Sequence, residues 1–351
     1  MKKKVVVAMS GGVDSSVAAY LLKEQGYEVL GVTMQVWQNK QNGQDSKCCG
    51  QSAVDDARYV ANQLNIPYYV LNFKDVFQEK VIDYFIEEYT KGRTPNPCIA
   101  CNRCIKWEVL LQKALTLGAD FMATGHYAKI TSHPQTKRLT LMHSASLAKD
   151  QSYALYGLTQ FHLEHTLMPM GNYTKDDIRA LAQKAGLKVA TKPDSQEICF
   201  IPDDDYGKFI EAHTNTTPGN FVDTDGNIIG RHKGVIYYTI GQRKGLGAFG
   251  KKVFVKKIDM AKNEVTLTED AELYGSEVYA DNVNFMGLDT LHAPTKATAK
   301  IRYNHQPAPC IAQLKGDLLH IKFHTPQRAI TPGQAVVVYD NEMILCGGTI
   351  I

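Results

Sequence analysis

The sequence holds no apolar run of about 18 residues, the length a membrane-spanning helix needs. Its basic start, "MKKK", leads only into a short apolar stretch that passes straight into a glycine loop, which is not a signal-peptide pattern. Both absences point to a protein of the cytoplasm with no membrane partner. No internal repeat and no low-complexity linker is present. Eight cysteines in 351 residues do not read as a disulfide framework in a reducing compartment. A chain of this length needs no such staple, so any disulfide would be transient and mechanistic. Neither sign of charge dominates: the formal charge is +3, with 21% charged and 44% hydrophobic residues, as in an ordinary globular protein. One stretch lacks acid altogether. Residues 231–257 hold Arg231, Lys233, Arg243, Lys244, Lys251, Lys252, Lys256 and Lys257 without an Asp or Glu. Such a stretch suits a phosphate backbone as readily as a plain solvated surface.

What is there begins with alternation. "KKVVVAM" is a short continuous apolar run suited to a buried parallel strand, and "DSSVAAYLLKEQG" follows with helical spacing and a terminal glycine. "YEVLGVTM", "SAVDDARYVANQLN", "IPYYVLNF", a helical stretch over 76–89 and "DFMATGHYA" continue the pattern. The order predicts an α/β fold, a doubly wound parallel sheet with its ligand at the strand C-terminal ends. From about residue 206 the character changes to glycines, short β-branched runs and turn dipeptides such as Asp225-Gly226. "KVFVKKIDMAKNEVTLTE" reads as two strands and a turn, while "TKATAKIRYN", "DLLHIKF" and "QAVVVYD" read as strands of a final barrel or sandwich. We therefore expect a catalytic domain over 1–205, a small β-rich domain over 206–272 and a C-terminal β-barrel over 273–351.

The segment "VVVAMSGGVDSSVAAYL", residues 5–21, places a buried strand, Ser10-Gly11-Gly12 and a helix start in register. Glycines let the backbone come close to an anion, and a helix N-terminus offers unpaired N–H groups and a positive dipole end. A bare double glycine could be only a tight turn; the full context suits phosphate. Neither G-x-x-x-x-G-K-[ST] nor G-x-G-x-x-G is present, so no loop lysine reaches a γ-phosphate and no dinucleotide fingerprint exists.

A second cluster, "TPNPCIACNRC", spaces Cys98, Cys101 and Cys104 at intervals of three. From the residues alone this is a metal knuckle, a redox or sulfur-handling site, or small side chains packed in a turn. Zinc is poorly served, because it wants four ligands and the only other close pair is Cys48-Cys49.

At this point the sequence resembles a family. "SGGVDSS" is similar to the pyrophosphate-loop signature of ATP pyrophosphatases. The segments "TPNPCIACN", "ATGHYAKI", "AKDQSYALYGL", "KPDSQEICFIP", "GRHKGVIYYTIGQRKGLG" and "PGQAVVVY" narrow the likeness to the tRNA-specific 2-thiouridylases of the MnmA type, in that family's order. The resemblance implies replacement of the C2 oxygen of the wobble uridine of tRNA by sulfur. It implies ATP, accompanied by Mg2+, as the activating substrate and tRNAs for Lys, Glu and Gln as acceptors. A persulfide donor or relay protein would supply sulfur.

Residue by residue, the resemblance assigns ATP contacts to Ala8, Met9, Ser10, Gly11, Gly12, Val13, Asp14, Ser15, Met34 and Gly125. It assigns tRNA contacts to Asn96, Pro97, Cys98, His126, Lys149, Asp150, Gln151, Arg302, Tyr303 and Gln334. Arginine pairs with phosphate and tyrosine stacks on bases, which suits that role. Cys199 matches the persulfide-bearing cysteine and Cys101 its partner, with a Cys101–Cys199 disulfide left after each turnover. Taken alone, Cys199 between Ile198 and Phe200 would read as an inert buried thiol. Some family members carry Asp in place of Cys98. Related tRNA-thiolating enzymes hold a [4Fe–4S] cluster on a C-x-x-C and one distant cysteine, which makes Cys98, Cys101 and Cys199 an alternative ligand set. Cys48, Cys49, Cys104, Cys310 and Cys346 receive no role. A different class, an ATP-dependent ligase adenylating a small carboxylate, would need neither the cysteines nor tRNA; a nonenzymatic RNA-binding module would leave the glycine loop without a purpose.

Overall fold

A computed structural model describes residues 2–37, 51–193, 198–201 and 205–351 of the chain. Its first layer follows from β1, Lys4–Ala8, in which Val5, Val6 and Val7 are all buried. A strand apolar on both faces belongs at the centre of a parallel sheet covered on both sides. Here it lies between β2, Glu28–Gln35, and β4, Phe121–Ala123, with β3, Tyr68–Asn72, beyond β2. After the hairpin of β5, Lys129–Ser132, and β6, Leu139–Met142, β7, Thr166–Leu167, completes the sheet in the order β3-β2-β1-β4-β7, all parallel.

The side chains of β1 alternate between two cores. Val5 and Val7 face a cluster built with α1, Val13–Glu24, α2, Gln51–Gln63, and the helix Lys175–Lys184. Val6 faces the other, where Phe77, Val81 and Phe85 of the helical run 74–90 meet Ile105, Trp107, Leu110 and Leu111 of the run 97–116. The doubly wound arrangement expected from the alternation is thus present.

The middle unit is a four-stranded sheet of β8, Gly219–Val222, β9, Ile228–His232, β10, Phe254–Asp259, and β11, Glu264–Thr268. Its core contains Phe221, Val255, Val265 and Leu267. The last unit runs from β12, Tyr274–Phe285, through β13, Thr295–Lys300, β14, Ala308–Lys315, β15, Leu318–Arg328, and β16, Ala335–Asp340, to β17, Met343–Ile350. Antiparallel pairing of β12 with β17 closes these six strands into a barrel.

One feature was not legible in the linear pattern. The β5–β6 hairpin, which interrupts the first unit, extends the barrel's strand β17 through Met142 opposite Met343. Arg138 Nε donates to Met286 O at 3.2 Å, and Tyr153 Oη donates to Ala335 O at 2.8 Å. The barrel is therefore built onto the first unit rather than tethered after it.

Trp107 is fully buried and its indole N–H donates to Thr166 Oγ1 at 2.8 Å, joining the helical run 97–116 to the sheet edge. Trp107→Ala should lower stability by about 3–5 kcal/mol through the cavity it leaves. A denaturant titration followed by circular dichroism checks this.

Candidate active site

The loop after β1 is shaped by what it lacks. Gly11 has φ +70°, and a β-carbon there would lie 2.2 Å from Ala53 O of α2. Gly12 caps α1 with no side chain, so the first-turn amides of α1 are left for another acceptor. Gly125, just beyond β4, packs so closely on α1 that a β-carbon would lie 2.7 Å from Ser15 N. Inside the loop, Ser15 Oγ accepts from Ser10 N at 3.1 Å and Ser16 Oγ donates to Gly12 O at 2.8 Å. Lys192 Nζ donates to Gly11 O at 3.0 Å and pairs with Asp56 at 2.8 Å. The Asp14 carboxylate is compensated by partners outside the loop: it accepts from Lys175 Nζ at 2.8 and 3.0 Å and from Tyr127 Oη at 2.8 Å. An acidic residue beside a phosphate site would otherwise repel the ligand.

Above the loop lies a cavity of about 210 Å³. Ala8, Met9, Ser10, Asp14, Ser15, Met34 and Gly125 of the expected nucleotide set line it, as do His126 and Gln151. Gly11, Gly12 and Val13 of that set do not line it; Val13 is buried in the core with Val5 and Val7. Four wall residues were missed by sequence reasoning: Val32, Thr33, Lys106 and Thr124. A helix starting at Pro97 puts Lys106 one turn beyond Cys101 in the wide, i→i+5 winding of Cys101–Leu110, which is the signal that could have found it.

These residues form a chain. Lys106 Nζ donates to Asn102 Oδ1 at 2.9 Å and to His126 Nε2 at 3.2 Å. The accepting Nε2 sets the tautomer: Nδ1–H donates to Thr124 Oγ1 at 2.7 Å, whose hydroxyl points to Met168 Sδ at 3.9 Å. Burial, and after it the ammonium of Lys106, hold the His126 ring well below the usual histidine range. His126 therefore presents a neutral ring to the cavity.

The cysteine helix begins at Asn96, outside the residues that line the cavity. Asn96 Oδ1 accepts from Cys98 N at 3.0 Å and from Ile99 N at 3.4 Å, and Pro97 occupies the first helical position, where its missing N–H costs nothing. Cys98 is exposed, Cys101 half-buried and Cys104 buried. Cys199 is also half-buried, and it packs with Cys101 against the apolar cluster containing Phe77, Phe85, Trp107 and Phe200. All six described cysteines are thiols rather than disulfides. Cys310 and Cys346 lie inside the barrel, where burial pushes both thiols up to about 12 and leaves them unreactive. Cys48 and Cys49 lie outside the described residues.

Among the described residues no three His, Cys, Asp or Glu side chains come together in a way that could hold a metal ion. Cys98, Cys101 and Cys199 are not among any such group.

The residues expected to touch tRNA fall into two groups. Asn96, Pro97, Cys98, His126 and Gln151 stand at the cavity or at the start of the cysteine helix. Of the others, Tyr303 and Gln334 bond across the joint between the barrel and the first unit, while Arg302 bonds within the barrel. Tyr303 Oη donates to Asp150 O at 3.0 Å, Gln334 Nε2 to Thr94 O at 2.6 Å and Arg302 Nη1 to Arg328 O at 2.9 Å. Burial, then Asp150 and Cys98, raise the Tyr303 hydroxyl above its ordinary value, so the barrel reaches the cysteine loop. The Asp150 carboxylate is buried and saturated by Ser144 N at 2.9 Å, Ser152 Oγ at 2.6 Å and His143 Nδ1 at 2.9 Å. It orders the turn that presents half-buried Lys149 and Gln151. Part of the basic stretch is neutralised by acids beyond it: Lys251 pairs with Glu269 and Lys256 with Glu272, each at 2.6 Å.

A doubly wound sheet with a side-chain-free loop at a helix N-terminus, a cavity at the strand ends and thiols on the adjoining helix defines an α/β domain for a phosphate-bearing ligand. Three family models cover the chain in order: tRNA methyl transferase HUP domain over residues 3–203, tRNA methyl transferase PRC-barrel domain over 207–269 and Aminomethyltransferase beta-barrel domain over 276–350. The tRNA-specific 2-thiouridylase MnmA of Lachnoclostridium phytofermentans is 56% identical over 99% of both chains, and that of Acetivibrio thermocellus is equally similar. The MnmA of Clostridioides difficile is 54% identical over 100% of this chain and 98% of its own. The chain belongs to the tRNA-specific 2-thiouridylase family.

Gly125→Ala should cut nucleotide affinity about tenfold or more by displacing the first turn of α1, with the barrel unaltered; calorimetric titration measures it. His126 should remain neutral at pH 6.5, where an unperturbed histidine is half protonated. Because its folded value is depressed, its unfavourable contribution is absent above the unfolded value and grows as pH falls below it. NMR titration of the ring, and a weaker acid-side loss of stability in His126→Gln, check the sign.

Proposed function

We propose that the chain is a tRNA-uridine 2-sulfurtransferase that uses ATP to make 2-thiouridine at the wobble position of tRNAs for Lys, Glu and Gln. The observation that carries this reading is that one helical run serves both halves of the chemistry. It starts at Asn96-Pro97-Cys98, bears Cys101, and walls the nucleotide cavity through Lys106. A small-carboxylate ligase has no use for that arrangement. Nor does the methyl transfer in two of the family-model descriptions, which needs no cysteine on the helix that walls the cavity.

Oxygen is a poor leaving group from the amide-like C2 of uracil. Attack of that oxygen on the α-phosphorus of ATP forms a C2–O–AMP linkage and releases pyrophosphate, so the oxygen later departs with AMP. Ser10, Ser15 and the first-turn amides of α1 hold the phosphates, while Met34 and Gly125 flank the nucleotide. Mg2+ enters with ATP as the counter-ion of its phosphates. Neutral His126 and Gln151 meet the target base, with Asn96 and Cys98 at its other side, and Lys149 meets the tRNA backbone. Tyr303 and Gln334 join the barrel to the first unit, and Arg302 meets the tRNA backbone.

The terminal sulfur of a Cys199 persulfide then attacks C2, and AMP leaves with the oxygen. Cys101 thiolate attacks Cys199 Sγ. The sulfur–sulfur bond breaks toward the base, giving 2-thiouridine and a Cys101–Cys199 disulfide. A thiol reductant resets the pair, and a persulfide donor protein of the cytoplasm reloads Cys199.

Cys101→Ala and Cys199→Ala should each abolish thiolation with a persulfide donor yet keep tRNA-dependent release of pyrophosphate. Mass spectrometry of digested tRNA and a phosphate-coupled assay measure the two steps. Near-normal 2-thiouridine from either variant, or pyrophosphate release indifferent to tRNA, would contradict the assignment.

A further inference from the structure

The glycine loop carries no lysine of its own, yet a nucleotide triphosphate brings several negative charges that backbone amides alone balance incompletely. Among the described residues on the cavity wall, Lys106 is the one permanent cation. It reaches the wall from the opposite side to the loop. Its two hydrogen-bond partners, Asn102 Oδ1 at 2.9 Å and His126 Nε2 at 3.2 Å, are both uncharged. No carboxylate among the described residues cancels its charge. This sets it apart from Lys175 and Lys192, which spend theirs on Asp14 and Asp56.

A half-buried ammonium held by neutral groups is poorly compensated, and an arriving polyanion would relieve it. The support around it is rigid. Asn102 is buried, and its Nδ2 donates to Ala154 O at 3.0 Å, which turns Oδ1 toward Lys106. The His126 ring is braced by Trp107, with ring centroids 5.7 Å apart.

From this we infer that Lys106 is a catalytic residue of the adenylation step, whose ammonium binds the nucleotide phosphates and stabilises the charge gathering on the departing pyrophosphate. The inference rests on the nucleotide reading of the cavity given above. In the step, a bond forms from uridine O2 to the α-phosphorus, the bond from that phosphorus to the bridging oxygen breaks, and pyrophosphate leaves with the electron pair. The N3 proton of the base passes to solvent, and Lys106 keeps its own protons. Drawn to the phosphates, Lys106 also releases His126 Nε2, which as a neutral acceptor matches the N3–H of a uracil ring.

The test uses the full chain and two ligands, adenosine and α,β-methylene ATP, with pyrophosphate release from ATP and tRNA as the kinetic readout. Lys106→Met should weaken binding of the methylene analogue about 10- to 100-fold, as expected for a lost charge-assisted hydrogen bond, and slow pyrophosphate release at least as much. Adenosine affinity should stay unchanged, and Lys106→Arg should recover part of the analogue binding. If the Met variant does not fold, Lys106→Gln, which keeps a donor and loses the charge, serves for the same comparison. Equal loss of adenosine and analogue would show a packing role and overturn the inference, as would unchanged analogue binding. Thiolation is not consulted, so failure here leaves the cysteine chemistry standing. A wild-type chain with no affinity for the analogue would overturn both readings.

Discussion

At Gly125 the end of β4 and the first turn of α1 meet backbone to backbone, with no room for a β-carbon between Gly125 and Ser15 N. Much of the site depends on this contact. It fixes the direction of α1, so the uncapped amides point into the cavity, and it sets His126, the next residue, on the opposite wall. Gly11 makes the matching approach to Ala53 of α2, so the loop is held between two elements by the absence of side chains. The clamp of Lys175 and Tyr127 on Asp14 completes the arrangement, because the Lys175 ammonium balances the carboxylate's charge at the cavity wall.

The second organising feature is the helical run 97–116, which makes one rigid body of groups that act in sequence. Asn96 and Pro97 start it, Cys101 lies in its first turns, Lys106 faces the cavity and Trp107 anchors it in the core. Its N-terminal end is held from outside by the barrel. Thr94 N donates to Pro332 O at 2.9 Å, and Gln334 returns a bond to Thr94 O. A barrel built onto the first unit in this way serves as a brace for the cysteine loop as well as a surface for a large substrate.

Strands β1 to β4 of the first sheet, the glycine loop and the hairpin 254–268 were legible because each is a local pattern: continuous apolar runs, a Gly-Gly before a helix start, two β-branched runs about a turn; the two-residue β7 was too short to show one. The three evenly spaced cysteines were not resolvable locally. Their separation into exposed Cys98, half-buried Cys101 and buried Cys104 comes from helix geometry and from packing against distant segments. Lys106 was missed because its one signal, a position one turn beyond Cys101, depends on knowing the wide winding of Cys101–Leu110, which "NRCIKWEVL" does not announce. Asp150, Arg302, Tyr303 and Gln334 resembled substrate contacts by position, and the fold gives each an additional partner inside the protein through contacts more than twenty residues away or, for Asp150, within a buried turn. The pairing of β6 with β17 joins residues two hundred positions apart, beyond any periodicity argument.

The central claim, that sulfur passes from Cys199 with Cys101 as its resolving partner, is tested most directly by a single turnover without reductant. Persulfide-loaded protein is mixed with ATP and tRNA, quenched with a thiol-blocking reagent and analysed by peptide mass spectrometry. The account predicts a Cys101–Cys199 disulfide formed in step with 2-thiouridine. One equivalent of 2-thiouridine with both cysteines recovered as blocked thiols would contradict it.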